Sequence, residues 1–252
     1  MDQEQPSVRQ SRAAFVAVVG RPSVGKSTLV NLLCGGKVAI VSPVPQTTRN
    51  AIRGIMNRPL GQLVFVDTPG IHISEKKLNR RLREVADRSM QESELVLYVL
   101  DASRPPGLEE EAVAERLNSP AAAERTLVAV NKTDAPGADL QRLFTFLNEK
   151  LPLLRADRRF PVSALKNEGI DPLVDCLFAL APPGESFYPE EYYTDQEVSF
   201  RIAEIIREKA INRLRQELPH SIYVEVADME LTDEGKRLWV RAFILTERES
   251  QK

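Results

Sequence analysis

Gly20-Arg21-Pro22-Ser23-Val24-Gly25-Lys26-Ser27-Thr28 joins a short apolar run to a helical pattern and carries the spacing G-x-x-x-x-G-K-[ST]. That spacing suits the binding of phosphate groups. Gly20 and Gly25 lack a Cβ, so the backbone can wrap closely around phosphate oxygens. The loop N–H groups and the free donors at the start of the following helix point at the anion. Lys26 is placed to reach the outer phosphates, and the Ser27 hydroxyl is an oxygen ligand for Mg²⁺.

Three further groups stand at the ends of apolar runs. Asp67-Thr68-Pro69-Gly70 follows Leu63-Val64-Phe65-Val66. An acid there serves Mg²⁺ through water, and the Gly70 amide meets a terminal phosphate. Asn131-Lys132-Thr133-Asp134 follows the run from Thr126 to Val130. The Asp134 carboxylate can accept two hydrogens from guanine N1 and N2, a pair that adenine does not offer. A site built for those bonds rejects the wrong base, because polar groups are left unpaired. The Lys132 stem can lie along the base plane, and Asn131 can tie the loops together. Ser163-Ala164-Leu165 offers backbone N–H groups to guanine O6. Each short group alone is an ordinary turn. Four of them in order on successive strand ends are a nucleotide site.

The elements that must hold these groups alternate. Strands are expected at Ala13–Val19, Ala51–Met56, Leu63–Val66, Leu95–Leu100, Thr126–Val130 and Arg159–Val162, the second and third pairing as a hairpin around the 57–61 turn. Helices are expected from Ser27 to Gly35-Gly36, between Ser74 and Glu92, and at Glu109–Leu117, Leu140–Leu151 and Ile170–Leu180. Lys37 to Asn50, with Pro43 and Pro45, reads as a loop able to move. This order predicts an α/β fold with a doubly wound, mainly parallel sheet, whose ligands gather at the carboxyl ends of strands. Ala181-Pro182-Pro183-Gly184 breaks the composition, and a helix from Phe200 to Leu214 with strands at Ile222–Val226 and Leu238–Ile244 follows. The division expected is a flexible start (1–13), a nucleotide-binding domain (14–180), a linker (181–197) and a smaller α+β unit (198–252).

Bulk properties narrow the classes. The chain has 252 residues, with 34 Lys+Arg against 36 Asp+Glu, so it is no general electrostatic binder of nucleic acid. Residues 198–252 hold 10 Lys+Arg and 10 Asp+Glu, and no basic footprint marks them. Cys34 and Cys176 lack metal-ligand spacing and read as reduced thiols. The polar first residues lack an apolar signal core, and no uncharged run nears the ~20 residues of a membrane span. Cytoplasm is the expected compartment.

On these motifs the chain resembles the Era-type ribosome-assembly GTPases, within the translation-factor class. Gly20–Ser27, Gln46-Thr47-Thr48-Arg49, Asp67–Gly70, Asn131–Asp134 and Ser163-Ala164 carry the likeness. These are shared with Der and MnmE. Pro189-Glu-Glu-Tyr-Tyr-Thr-Asp195, Ala203–Lys209, Glu217-Leu-Pro-His220 and Thr246–Lys252 are specific to Era. The resemblance implies a GTPase domain joined to a type II KH domain that binds small-subunit ribosomal RNA near its 3′ end. It implies GTP or GDP and Mg²⁺ as ligands, a monomer, the small ribosomal subunit as partner and, as a hint only, peripheral contact with the inner membrane. It gives Thr48, in a switch loop, a place on Mg²⁺ and the γ-phosphate beside Ser27 and Asp67. Lys26, Thr48 and Gly70 are then the catalytic set.

Three departures shape the expectation. Ile71 stands where Ras-like enzymes place a water-orienting glutamine, so turnover is expected to be slow. Ser23 stands where Era relatives usually carry an asparagine that helps to hold K⁺ in MnmE-like enzymes, so K⁺ is a further ligand only if Ser23 can take that role. The chain stops at Lys252, where a KH domain would continue into its Gly-x-x-Gly loop, and only a partial KH-like unit is expected. The competing readings are a nucleotide-sensing interaction protein with negligible turnover alone, and a Der- or MnmE-like GTPase acting on another RNA. Ile202, Ile205, Ile206 and Leu214 are read as core, as are Trp239 and Phe243 from their alternation. The run Lys76, Lys77, Arg80, Arg81, Arg83 is read as a solvated face, and His72 as a plain loop histidine.

Overall fold

The structure, a computed structural model, describes residues 10–42, 51–71, 77–213, 222–233 and 235–246. Six strands form one sheet: β1 (Arg12–Val19), β2 (Ile52–Arg58), β3 (Gly61–Asp67), β4 (Leu95–Asp101), β5 (Thr126–Asn131) and β6 (Arg159–Pro161), in the spatial order β2-β3-β1-β4-β5-β6. All neighbours are parallel except β2, which pairs antiparallel with β3. Around the sheet lie α1 (Lys26–Leu33), α2 (Lys77–Glu92), α3 (Leu108–Leu117), α4 (Pro120–Glu124), α5 (Leu140–Lys150) and α6 (Ile170–Leu180). The doubly wound sheet is therefore present as the alternating pattern required. The short α4, which sequence periodicity does not reveal, starts at Ser119, whose side chain accepts from the Ala122 amide.

Side chains of the central strands divide between two cores, because successive residues of a strand point to opposite faces. Val16, Val18, Leu97 and Val99 join α1 and α6 on one face. Ala17, Val19, Val96, Tyr98 and Leu100 join α2, α3 and α5 on the other. Covering both faces explains why β4 is buried at every position. Helix α1 ends where its two glycines stand. The Gly35 and Gly36 amides bond back to Leu32 and Asn31, with Gly35 in the left-handed region at φ +64°. Both cysteines are free and half-buried, and burial pushes the Cys34 thiol up to about 12.

After α6 the chain does not hang loose. It runs back along the β2 edge, where the buried Gln62 amide accepts from the Phe187 and Tyr188 amides and donates to the Tyr188 carbonyl. Asn57 donates to the Glu190 and Tyr192 carbonyls, and the Ile55 amide donates to the Tyr193 carbonyl. These bonds occupy an edge that would otherwise offer unpaired backbone groups.

A smaller α+β unit follows: α7 (Val198–Ile211) packed on β7 (Ile222–Thr232), which pairs antiparallel with β8 (Arg237–Thr246). Glu208 of α7 takes an ion pair from Lys37 and accepts from the Val41 amide, and Ser42 donates to Asn212. Here two expectations fail. Trp239 and Phe243 are 51% and 52% exposed, and Ile205 is 39% exposed. The register places Trp239 opposite Glu230 and Phe243 opposite Glu225, so both aromatics share one face of the ribbon. The other face carries Ile222, buried against α7, and the half-buried Val224 and Val226. Alternation correctly paired the aromatics, but among the described residues no layer covers their side. Leu214 lies outside the described residues.

Candidate functional site

All parallel strands end on the same side, and the phosphate loop leaves β1 where the strand order turns back past it. Gly25 begins α1 at φ +96°, a left-handed conformation. A Cβ there would sit 2.4 Å from the Asn131 side-chain nitrogen, so no other residue fits without displacement. Inside the loop the Lys26 ammonium donates to the Gly20 carbonyl at 3.1 Å and the Arg21 carbonyl at 2.8 Å. Burial lowers its pKa to about 8, with Asp67 and Glu109 pulling the other way. A buried cation held by two carbonyls inside a ring of amides is a counter-charge for phosphate oxygens.

Ser27 Oγ donates to Asp67 Oδ2 at 2.6 Å, which joins the two residues expected to serve Mg²⁺. A hydroxyl and a carboxylate beside a phosphate loop are the hard oxygen donors that this ion takes, so the residues present fit it. Among the described residues no cluster of three or more His, Cys, Asp or Glu exists. Gly70 closes against the loop. A Cβ at Gly70 would meet the Pro22 nitrogen at 2.6 Å, and the next amide, Ile71 N–H, donates to the Gly20 carbonyl at 3.1 Å. Ile71 itself is fully buried in the α2-side core and offers nothing to a water. Thr68 is fully buried and donates its hydroxyl to the Val18 carbonyl at 2.7 Å, so its side chain anchors the turn. Val24 likewise sends its side chain into the α1-side core, and Pro69 is buried. Thr28, on the first turn of α1, is half-buried.

The base-side loops meet at Asn131, which is 2% exposed. Its Nδ2 donates to the Val24 carbonyl at 2.9 Å, and its Oδ1 accepts from the Ala164 amide at 3.0 Å. One side chain thus joins the phosphate loop to the loop after β6. Asp134 accepts from the buried Ser163 hydroxyl at 2.6 Å, which orients its carboxylate. With the Ala164 amide committed, the neighbouring Leu165 carries its side chain 80% exposed.

Sequence reasoning missed a polar layer beneath these loops. Arg21, expected at the nucleotide, points its guanidinium at Glu110 of α3 (2.7 Å) and toward Asp101 at the end of β4 (3.8 Å). Glu110 also accepts from the Gly107 amide at 2.9 Å. The available signal was an acid at the carboxyl end of a wholly apolar strand, the position that the recognised motifs share. Ser23, exposed and at φ +63°, contributes its carbonyl to the Lys132 ammonium. Gln46, Thr47, Thr48, Arg49, His72 and Lys76 lie outside the described residues. Arg80 and Arg81 are exposed on α2, as a solvated face requires. A cleft of about 680 Å³ between α2 and the β1–β3 strands, with Phe15, Arg53, Arg81, Arg88 and Asp195 on its walls, contains none of the four nucleotide motifs.

Known proteins resemble this chain over most of its length. The family described as 50S ribosome-binding GTPase matches residues 15–132. The GTPase Era of Treponema denticola is 49% identical over 240 residues, covering 95% of this chain and 81% of that protein. The GTPase Era of Treponema pallidum is 45% identical over 258 residues, covering 96% and 81%. Among solved structures, an Aquifex aeolicus Era variant bound to GDP and AlF4⁻ superposes with a TM-score of 0.85 at 34% identity, covering 95% of this chain and 80% of that one. Era in complex with MgGDPNP and nucleotides 1506–1542 of 16S ribosomal RNA gives the same TM-score, identity and coverage.

Proposed function

The chain belongs to the Era family of GTPases, and on that premise we propose that it is a slow switch whose nucleotide state governs engagement of the small ribosomal subunit. It hydrolyses GTP to GDP and phosphate and uses guanine nucleotide with Mg²⁺. The proposal assigns the roles. Lys26 and the loop amides hold negative charge on the phosphates. When bound, Mg²⁺ would neutralise negative charge on the phosphates. Ser27 and Asp67 would hold it, and Thr48 would join them from the switch loop. The Gly70 amide faces the γ-phosphate. Asp134, oriented by Ser163, accepts from guanine N1 and N2, and the Leu165 amide faces O6. Ile71 has no polar group with which to place the attacking water, so backbone or a partner must do so.

The observation that carries the nucleotide reading is the Asn131 side chain, which bonds to both loops and brings phosphate and base sites to one end of the sheet. The RNA part of the proposal rests on the likeness to the Era complex with nucleotides 1506–1542 of 16S ribosomal RNA. We place the work in the cytoplasm, by a monomer assisting assembly of the small subunit.

Two measurements test this. Asp134→Asn exchanges an acceptor for a donor and should turn preference from guanine to xanthine nucleotides; unchanged preference removes Asp134 from base reading. Sedimentation with purified small subunits should show retention that depends on whether GTP or GDP is present. Equal retention in both states would end the switch proposal.

A further inference from the structure

Asp101 closes β4 with its side chain only 2% exposed, and it is ionised there for a reason that local turn geometry does not supply. One oxygen, Oδ1, accepts from the Ser103 amide at 2.9 Å and hydroxyl at 2.6 Å, which is all a turn needs. The second oxygen, Oδ2, accepts from the Lys132 ammonium at 2.7 Å and faces the Arg21 guanidinium at 3.8 Å. Burial pushes the Asp101 carboxyl up, but hydrogen bonds from Lys132 and Ser103 hold it below the usual carboxylate range. A buried carboxylate is tolerated only with such partners.

Lys132 is held at both ends. Its backbone sits at φ +64°, a left-handed conformation that is strained for a non-glycine residue. Its Nζ donates to the Ser23 carbonyl at 2.7 Å as well as to Asp101. The stem therefore crosses from the loop after β5 to the phosphate loop, with Asp101 fixing its tip from below. Arg21, on the same phosphate loop, is fixed from the same side by Glu110.

We propose that Asp101 is a positioning residue for nucleotide binding: by gripping the Lys132 ammonium against the Ser23 carbonyl, it holds the Lys132 stem as the wall on which the base lies. This rests on the reading that Asn131–Asp134 form the base site. A lysine left without the grip would sample its many rotamers, and each nucleotide would have to order it on arrival. The effect belongs to binding, shared by GTP and GDP, and leaves the chemical step alone.

The test uses the full chain and fluorescent GDP. Asp101→Asn keeps an acceptor for Ser103 but loses the charge facing Lys132. The Kd for GDP should rise on the order of tenfold, while kcat at saturating GTP falls less than about twofold. In a Lys132→Met background, which keeps the stem and loses the ammonium, adding Asp101→Asn should change Kd less than about twofold, because the two residues act as one unit. Full additivity in that background, or a fall in kcat with Kd unchanged, would overturn the proposal. Ser103→Ala, which removes only the turn hydroxyl, should leave Kd within about twofold; a tenfold rise there would reduce Asp101 to a turn residue. If Asp101→Asn does not fold, Asp101→Glu replaces it, keeping the charge one methylene farther out, with an intermediate Kd expected and a wild-type or additive Kd counting against. Asp134→Asn is run alongside. A xanthine switch there with an inert Asp101→Asn overturns this inference alone, whereas no switch removes the base site itself.

Discussion

Strand β4 is buried at all seven positions, while β7, four residues longer, is fully buried only at Ile222 and stays exposed from Asp228 to its end. Both strands are rich in apolar residues. The difference lies in what covers them among the described residues: helices on both faces of the six-stranded sheet, and one helix on one face of the ribbon. A strand covered on both faces holds its carboxyl end in place, and the residues proposed for the nucleotide chemistry stand on such ends. Asp67 closes β3, Asp101 closes β4 and Asn131 closes β5, each buried and each bonded to a neighbouring segment, Asp67 to the first turn of α1 and the other two to loops. In the ribbon, charge and aromatic surface lie together in solvent, as in the exposed Asp228–Arg241 ion pair beside Trp239 and Phe243. The first region positions atoms; the second presents a surface.

That comparison can be broken at several points. The largest effect is expected at Lys26. Replacing it with alanine leaves the Gly20 and Arg21 carbonyls facing a loop without its cation, and affinity for GDP and GTP should fall by about 100-fold or more, read by titration with fluorescent nucleotide. Retained affinity would mean that the anchored strand ends do not form the phosphate site.

Next is a matched pair of truncations. Leu97→Ala, in the fully buried β4, should cost about 3 kcal/mol in chemical denaturation. Phe243→Ala, on the exposed ribbon face, should cost less than about 1 kcal/mol. Equal costs would show that the aromatic face is covered in solution, and the contrast between the regions would disappear.

The smallest effect is a proton. Lys26 has a folded pKa near 8 against an ordinary 10.5. Both states carry the proton below pH 8, so the cost of burying the ammonium is fully present there. Between about 8 and 10.5 the unfolded chain binds more protons, and this group makes stability rise with pH across that window. Phosphate oxygens favour the ammonium, so GDP binding at pH 9 should take up protons and at pH 7 almost none. Calorimetry in two buffers of different ionisation enthalpy reads the difference. Equal, near-zero uptake at both values would mean that Lys26 is not desolvated in the empty loop.

The phosphate loop, Asp67–Gly70 and Asn131–Asp134 were legible in the chain because each is a contiguous strand-to-loop unit whose chemistry depends on local spacing. The helix stop at Gly35-Gly36 was legible for the same reason, since a left-handed residue after the last turn is a local demand. The linker was legible as a break in composition, but its attachment to the β2 edge was not. Gln62 reaches residues 125 and 126 positions away, and nothing in its neighbours says so.

By itself the sequence determined which chemistry the loops can do and which strands they follow. Tertiary structure alone decided that Asn131 bonds to Val24 and Ala164, that Asp101 takes the Lys132 ammonium, and that Trp239 and Phe243 face outward. The physical reason is common to all three. Alternation along a strand says which residues share a face, but burial and pairing depend on what distant chain is laid against that face.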